Sequence, residues 1–246
     1  MGIVSIHQLN DLKMLEKPSV IVGFPGTGLV GSVAAAQIVE NLEMKFAGYF
    51  SSPDFAPLAA IHNYKPMPAA RIHYSEKSNT IVIISEMTIP VGASLEVAEK
   101  IFEFCKSVNA SKIISLGGIA LKENKEGVYV ISSDTSVVKN AVAKKIAKPI
   151  REGATTGVTG ILLTMGTLRN VPTTAILSEA SEEYLDPKAA ANALSALNKM
   201  IGTNVETAKL EKEAVELSRT IKENNIKSKL GKKRGPGAEE GGSMFG

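Results

Sequence analysis

Two kinds of segment alternate along most of the chain. Short, continuous apolar runs rich in β-branched residues predict strands buried on both faces, as in residues 18–24 (PSVIVGF) and 111–118 (SKIISLGG). Between such runs, apolar residues recur at helical spacing, as in residues 94–108, where Ser94 is a candidate N-cap. Further strands are predicted at 46–50, 68–76, 80–87, 127–133 and 172–180, and further helices at 29–42, 137–147, 155–170 and 186–202.

This alternation predicts the fold class. Strands that alternate with helices form an α/β domain, in which a mostly parallel sheet carries helices on both faces. The helix at 186–202 is the best marked, because Pro187 stands at its first position and Gly202 at its end. We therefore predict one globular α/β domain over residues 1–202.

The pattern changes at residue 203. Residues 203–229 are rich in charged side chains and contain no Gly or Pro. Their apolar residues form a narrow stripe: Leu210, Ala214, Leu217 and Ile221. This spacing is typical of a helix that pairs with another helix, and it fits a helix packed on its own domain equally well. We predict a helical extension over 203–230 and take the stripe as a candidate oligomer surface.

The last segment, residues 231–246, reads GKKRGPGAEEGGSMFG. Its charged, Gly- and Pro-rich composition predicts a disordered, flexible tail. Met244 and Phe245 are large apolar residues at the end of a stretch that otherwise avoids them. An exposed Phe beside a free carboxylate suits docking into a groove on another protein, with the carboxylate bound by a Lys or by backbone N–H groups.

Composition narrows the class of protein. Of 246 residues, 44% are hydrophobic and 22% charged, as in globular domains. A single cysteine, Cys105, excludes a disulfide framework and indicates a reducing, cytoplasmic setting. The first residues do not resemble a signal peptide, and no apolar run is long enough to span a membrane. With a net charge of +3 and 5% aromatic residues, a nucleic-acid partner is not expected.

One motif points toward an enzyme. Residues 26–31, GTGLVG, match the G-x-G-x-x-G turn that holds a pyrophosphate between a strand and a helix. The acidic residue that should follow about 20 residues later is missing, since Tyr49 to Ser52 stand there and Asp54 lies behind Pro53. In the other interpretation, Gly26, Gly28 and Gly31 permit a tight turn and close helix–strand packing. A nucleotide- or nucleoside-binding α/β enzyme is therefore the alternative hypothesis.

Other candidate chemistry is sparse. Three histidines show no metal-like spacing: His7, His62 and His73. Cys105 falls on the apolar face of its helix and is predicted to be a core residue. Glu86 and Glu179 end strands, where a carboxylate more often pairs with a nearby base or caps a helix than acts in catalysis. The sequence therefore predicts no catalytic residue, no cofactor and no metal.

Three segments together resemble a known family. They are residues 20–35 (VIVGFPGTGLVGSVAA), 153–163 (GATTGVTGILL) and 171–202 (VPTTAILSEASEEYLDPKAAANALSALNKMIG). The last is the most specific, because a strand, an acidic loop and an Asp-Pro-x-Ala-Ala helix start occur together. The chain from about Pro18 to Leu210 resembles the proteasome assembly chaperone family in its archaeal form, as a homologue of proteasome assembly chaperone 2.

This resemblance implies a three-layer α/β/α sandwich, similar to purine nucleoside phosphorylases but without their activity. It also implies a partner, the proteasome core particle, whose assembly or opening such proteins assist. Partners of the core particle carry a C-terminal hydrophobic–Tyr–any residue motif, which enters pockets between neighbouring α-subunits, where a Lys binds the terminal carboxylate. Met244 and Gly246 match the first and last positions, whereas Phe245 replaces Tyr and lacks its hydroxyl.

A single tail of this kind binds weakly, so several tails on one homo-oligomer are expected to act together. The expected protein is thus a non-enzymatic assembly chaperone or activator of an archaeal proteasome. It docks its tails on the α-ring, and a related second chain is a further candidate partner.

Overall fold

The computed structural model describes residues 3–62, 64–121 and 127–233, with side chains described up to residue 220. The strands are β1 (Ser5–Gln8), β2 (Ser19–Gly23), β3 (Lys45–Ser51), β4 (Ala59–His62), β5 (Lys65–Pro68), β6 (Ala70–Ser75), β7 (Thr80–Ser85), β8 (Lys112–Ile119), β9 (Val128–Ser132), β10 (Lys148–Pro149) and β11 (Thr173–Glu179). The helices are α1 (Val30–Asn41), α2 (Ser94–Ser107), α3 (Thr135–Ala143), α4 (Gly157–Arg169), α5 (Pro187–Ile201) and α6 (Ala208–Lys233).

Nine strands form the central sheet, in the order β1-β3-β6-β7-β2-β8-β11-β9-β10. The inner strands β7, β2, β8 and β11 are parallel, whereas β1, β3 and β6 pair antiparallel on one side and β9 pairs antiparallel with β11 on the other. The α/β class is confirmed, but the expectation of a mostly parallel sheet holds only for this inner part. For β6 and β7 the reason is loop length, because a turn of four residues permits only antiparallel pairing.

Helices cover both faces of the sheet, which confirms the three-layer arrangement. On one face α2 and α4 pack on the sheet, with Val97, Ile101 and Cys105 of α2 buried at helical spacing. On the other face α1 and α5 pack together, and the alanines of α5 allow this close approach. Each inner strand is therefore buried on both sides, as its continuous apolar sequence predicts.

The strand ends define two edges of the sheet. The parallel strands end at what we call the carboxyl edge, and the opposite one is the amino edge. Register pairs Ser5 with Ser51 and Ala70 with Ser85, so the start of β1, the end of β3 and the start of β6 also lie at the carboxyl edge. The small β4–β5 hairpin connects β3 to β6 there.

The ends of α5 agree with the sequence prediction, whereas the start of α2 does not. Before α5, the Asp186 carboxylate accepts from the Ala189 N–H at 3.0 Å, Pro187 opens the helix and Gly202 ends it at φ 75°. The expectation that Ser94 caps α2 is wrong. A 3-10 turn runs directly into α2, so Ser94 is already helical and its hydroxyl donates to the Pro90 carbonyl.

Helix α6 begins at the amino edge, against the end of α1. Lys209 Nζ lies 2.7 Å from Glu40, and Glu206 N–H donates to Asn41. Leu210 is only 3% exposed and packs into the core between α1 and α5. This residue therefore packs on its own domain rather than on a second helix of another chain. Farther along the predicted stripe, Ala214 and Leu217 are half-buried, and the side chain of Ile221 lies outside the described residues.

The division of the chain at residues 202 and 230 stays a prediction. Across residues 3–62, 64–121 and 127–233, no helix is long and apolar enough to cross a membrane.

Candidate functional site

The glycine turn lies at the carboxyl edge between β2 and α1. Gly28 has φ 61°, a conformation that glycine adopts without strain. The Asp186 N–H donates to the Gly28 carbonyl at 2.9 Å, and a Cβ on Gly28 would lie 2.8 Å from that of Ala180. The segment between β11 and α5 therefore packs directly on this turn.

Gly31 holds α1 close to the sheet. A Cβ at this position would lie 2.5 Å from the carbonyl oxygens of both Leu116 and Phe24, whereas a Cβ on Gly26 would meet nothing within 4 Å. Gly31 thus permits close packing of backbone on backbone, and Gly28 permits close packing against the Cβ atoms of Ala180 and Asp186. These contacts favour the packing interpretation of the motif, since protein atoms occupy the space next to Gly28.

Two open cavities also lie at the carboxyl edge. One, of about 590 Å³, is bordered by the acidic loop before α5, including Glu179, Glu182 and Glu183. The other, of about 1120 Å³, has Tyr129 and Leu163 in its lining, with hydroxyl groups and Arg151 around them. Within the described part of the chain, no three His, Cys, Asp or Glu side chains lie in an arrangement that could hold a metal ion.

A cluster of charged and polar side chains lies at the same edge, around Arg71. Arg71 of β6 is only 4% exposed, and its Nη2 donates to Oε1 of Glu86 at 2.6 Å. Glu86 is the residue that follows β7. Arg71 Nη2 and Glu86 Oε1 each lie 2.7 Å from His62 Nε2 of β4. Arg71 Nε donates to His73 Nε2 at 3.2 Å, and Nη1 donates to the Pro68 carbonyl. The cluster therefore ties both strands of the β4–β5 hairpin to the sheet.

Burial, followed by the nearby charge of Arg71, lowers the pKa of His73 to about 4. The imidazole is consequently neutral at ordinary pH, and its Nε2 can accept the hydrogen bond from Arg71. Glu86 thus pairs with a base, as expected for a carboxylate at a strand end. His7 lies apart from this cluster, stacked on Tyr49 with 4.6 Å between ring centroids.

Cys105 is a core residue, as predicted. Burial in α2 raises the pKa of its thiol to about 12, so the thiolate form that reacts with electrophiles is suppressed. The predicted docking residues Met244, Phe245 and Gly246 lie outside the described residues. Their role stays a prediction, as does that of the α6 stripe.

Sequence reasoning missed a set of exposed apolar side chains at the carboxyl edge. Tyr64, in the turn of the β4–β5 hairpin, is fully exposed, and Val91, before α2, is 93% exposed. The sequence places this tyrosine between residues 59–62 (AAIH) and residues 65–68 (KPMP), the second of which contains two prolines. Its exposure follows only from the three-dimensional position of the hairpin.

The fold and this edge define a class: a three-layer α/β/α protein whose glycine turn packs the first helix and whose chain continues into a long C-terminal helix. The chain belongs to the PAC2 family, whose sequence profile matches residues 20–224.

Relatives agree with this assignment. The chain is 33% identical over 208 residues to an uncharacterized protein of Methanocaldococcus jannaschii, covering 85% of each. Among solved structures it is similar to PbaA of Pyrococcus furiosus, an archaeal homolog of proteasome-assembly chaperone, with a TM-score of 0.82, 29% identity and coverage of 94% of this chain and 95% of that one. It is also similar to PbaB of the same organism, an archaeal proteasome activator, with a TM-score of 0.80, 25% identity and coverage of 92% and 100%.

Proposed function

We propose that this protein is a proteasome assembly chaperone or activator without catalytic activity of its own, acting in the cytoplasm of an archaeon. The observation that carries the proposal is the similarity to PbaA and PbaB along nearly the whole chain. The packing role of Gly28 and Gly31 supports a function without catalysis, because it accounts for the G-x-G-x-x-G motif that would otherwise indicate an enzyme.

The proposed contact with the core particle is the segment Met244–Phe245–Gly246, with Gly246 supplying the carboxylate. Helix α6 spans 26 residues, about 39 Å at 1.5 Å per residue. A chain of the thirteen residues that follow Lys233 can reach at most about 45 Å. Together they give the apolar pair a long reach from the globular domain to pockets between α-subunits.

The energy of one such contact is small. Burial of the Phe245 ring provides roughly 1.5–3 kcal/mol, and a charged hydrogen bond to the carboxylate adds about 1.5–3 kcal/mol. The sum corresponds to a dissociation constant in the millimolar range or somewhat below. Several tails on one homo-oligomer raise the overall affinity by about 10²- to 10⁴-fold, so self-association is part of the proposal.

The test is a pull-down of core particle by the full chain and by a chain that ends at Ser243. We expect the truncation to abolish capture. Ser243→Ala is the matched control and should leave capture unchanged, whereas addition of two glycines after Gly246 should abolish it by moving the carboxylate. Capture that survives both the truncation and the extension would remove the tail from the mechanism.

Peptide hydrolysis by the core particle then separates the two roles. An activator raises the rate of hydrolysis, and Phe245→Tyr should raise it further, because the hydroxyl can form an additional hydrogen bond in the pocket. An assembly chaperone instead speeds the formation of core particle from its subunits. Micromolar binding of NAD or nucleosides, measured by calorimetry, would favour the enzyme hypothesis over both.

A further inference from the structure

We propose that the larger cavity at the carboxyl edge is a docking site for the C-terminal tail of the same chain, which fills it with Met244, Phe245 and the Gly246 carboxylate. This inference rests on the proposed function, because a tail held in the cavity is withheld from the core particle. The contact regulates how many tails are available to bind.

The cavity, of about 1120 Å³, has an apolar floor that is separate from the two large cores. Leu163 of α4 and Leu177 of β11 form this floor, and Tyr129 and Ile131 of β9 pack against it while staying half-buried. Pockets of roughly 300–1,000 Å³ accommodate drug-sized ligands. The cavity therefore has room for two large apolar side chains.

The hydroxyl groups around the floor are already bonded to the backbone. Four of them donate to backbone carbonyl groups: those of Ser132, Ser133, Thr164 and Thr167. A sugar or nucleoside would find these donors in use, whereas an apolar side chain needs none of them. The lining therefore favours an apolar occupant.

Positive charge lies on one side of the cavity. Arg151 is exposed in the lining, and Lys148 Nζ lies 5.7 Å from the centroid of the Tyr129 ring. Lys144 and Lys145 are exposed just before them in the chain. Among the residues that the structure describes, no carboxylate forms an ion pair with these four basic side chains. A basic strip of this kind attracts an anionic segment.

The tail has the complementary composition. Its apolar pair suits the floor, and the Gly246 carboxylate suits the Arg151 guanidinium. Two further carboxylates, ending at Glu240, precede Phe245 by five residues, a separation of at most about 17 Å. The acidic pair can therefore contact Lys148 while the ring of Phe245 is buried.

Two carboxylates of the domain keep the contact weak. Glu152 borders the cavity next to Arg151 in sequence, and Glu182 borders it from the acidic loop, which also lines the smaller cavity. Their charge opposes that of the tail, so the bound tail is readily released. A regulatory contact must yield in this way when the core particle competes for the same residues.

The tether favours the tail of the same chain over a separate partner. The eight residues of β8 span about 26 Å between the two edges, and the thirteen residues after Lys233 extend up to about 45 Å. The first turns of α6 stay against the domain, because Leu210 is buried and Ala214 and Leu217 are half-buried. A short flexible tether gives an effective concentration in the millimolar range, so a contact with a millimolar dissociation constant is about half occupied.

An NMR titration tests the site with a synthetic peptide of residues 241–246, GGSMFG. For the chain that ends at Ser243 we expect a dissociation constant in the millimolar range and shifts of the Tyr129, Leu163 and Arg151 amide signals. The full chain should bind the peptide about twofold more weakly, because its own tail competes. A peptide with a C-terminal amide should bind about threefold more weakly, and a peptide with Phe245→Ser should not bind measurably.

Three exposed residues supply matched variants. Arg151→Gln should weaken peptide binding about threefold, and in the full chain it should strengthen capture of the core particle up to about twofold by releasing the tail. Glu152→Gln should change both quantities in the opposite direction. Lys77→Gln, in the turn between β6 and β7 at the amino edge, should leave both unchanged.

Absence of peptide-induced shifts at these signals, or equal peptide binding by the full and truncated chains, would overturn the inference. Shifts caused by inorganic phosphate but not by the peptide would assign the cavity to a small anion and overturn it as well. If capture of the core particle still depended on the tail in these cases, the proposed function would stand. Peptide binding in the cavity together with tail-independent capture would refute the proposed function and retain the docking site.

Discussion

Removal of the Glu86 carboxylate should destabilise the fold more than removal of an exposed carboxylate. The Arg71 side chain is 4% exposed and donates to Glu86 Oε1 at 2.6 Å, while Glu86 itself is 26% exposed. Taking away one partner of a fully buried ion pair costs about 3–5 kcal/mol, and a hydrogen bond to a charged group contributes about 1.5–3 kcal/mol. Since water can reach the position of Glu86, we expect Glu86→Ala to lower the free energy of unfolding by about 2–3 kcal/mol.

The matched control is Glu76→Ala. Glu76 pairs with Lys45 at 2.9 Å, but both side chains are at least half exposed, so the loss should stay below about 1 kcal/mol. Glu86→Gln keeps an acceptor for Arg71 and should fall between the two. Urea unfolding at one fixed protomer concentration measures all three differences, because a self-associating protein changes its apparent stability with concentration. Equal losses in Glu86→Ala and Glu76→Ala would refute the structural role of the Arg71 cluster.

Three further predictions concern single residues. The pKa of His73 is about 4 in the folded protein and 6.5 in the unfolded chain, so between these pH values only the unfolded chain binds the proton. The free energy of unfolding should therefore fall by about 3 kcal/mol on acidification from pH 6.5 to 4. His73→Gln should reduce this pH dependence, as measured by urea unfolding at several pH values. Gly31→Ala should cost about 1–3 kcal/mol in the same assay, because its Cβ meets two carbonyl oxygens, whereas Gly26→Ala should be nearly neutral, and equal effects would contradict the packing role. Cys105 should react with a thiol reagent only after unfolding, so stoichiometric labelling of the native protein within minutes would contradict its burial.

The inner half of the fold was predictable from the sequence, and the physical reason is burial on both faces. Strands such as β2 and β7 have no solvent-facing side, so their sequences are continuously apolar and stand out from the surrounding helices. The start and end of α5 were equally clear, because Asp186, Pro187 and Gly202 each have a local backbone role.

The periphery was not predictable in the same way. β1 (SIHQ) is an edge strand with exposed positions, and β5 (KPMP) contains two prolines, which normally argue against a strand. The antiparallel pairing of β6 with β7 follows from the four-residue connection between them, which the apolar pattern of the strands does not reveal. β10, a strand of two residues, is too short for any pattern to appear.

For the candidate site, the sequence raised the right alternatives and lacked the information to choose between them. Gly31 leaves space either for a ligand or for a neighbouring strand, and the choice depends on which atoms face it. The facing atoms are the carbonyl oxygens of Leu116 and Phe24, which lie far apart in sequence. Leu210 fits a stripe and a core equally well until the position of α5 is known. Arg71 gave no signal, because an arginine within a strand is ordinarily placed at the surface.

The order of strands in the sheet also bears on synthesis of the chain. β2 lies between β7 and β8, which emerge from the ribosome about 60 and 90 residues later. A nascent chain therefore carries β2 without its first partner until about Ser85 and without its second until about Ile119 has been made, and late closure of such distant pairs slows folding and exposes surface prone to aggregation. The β6–β7 pair, by contrast, closes across a turn of four residues and can form first, as a template on which β2 is added.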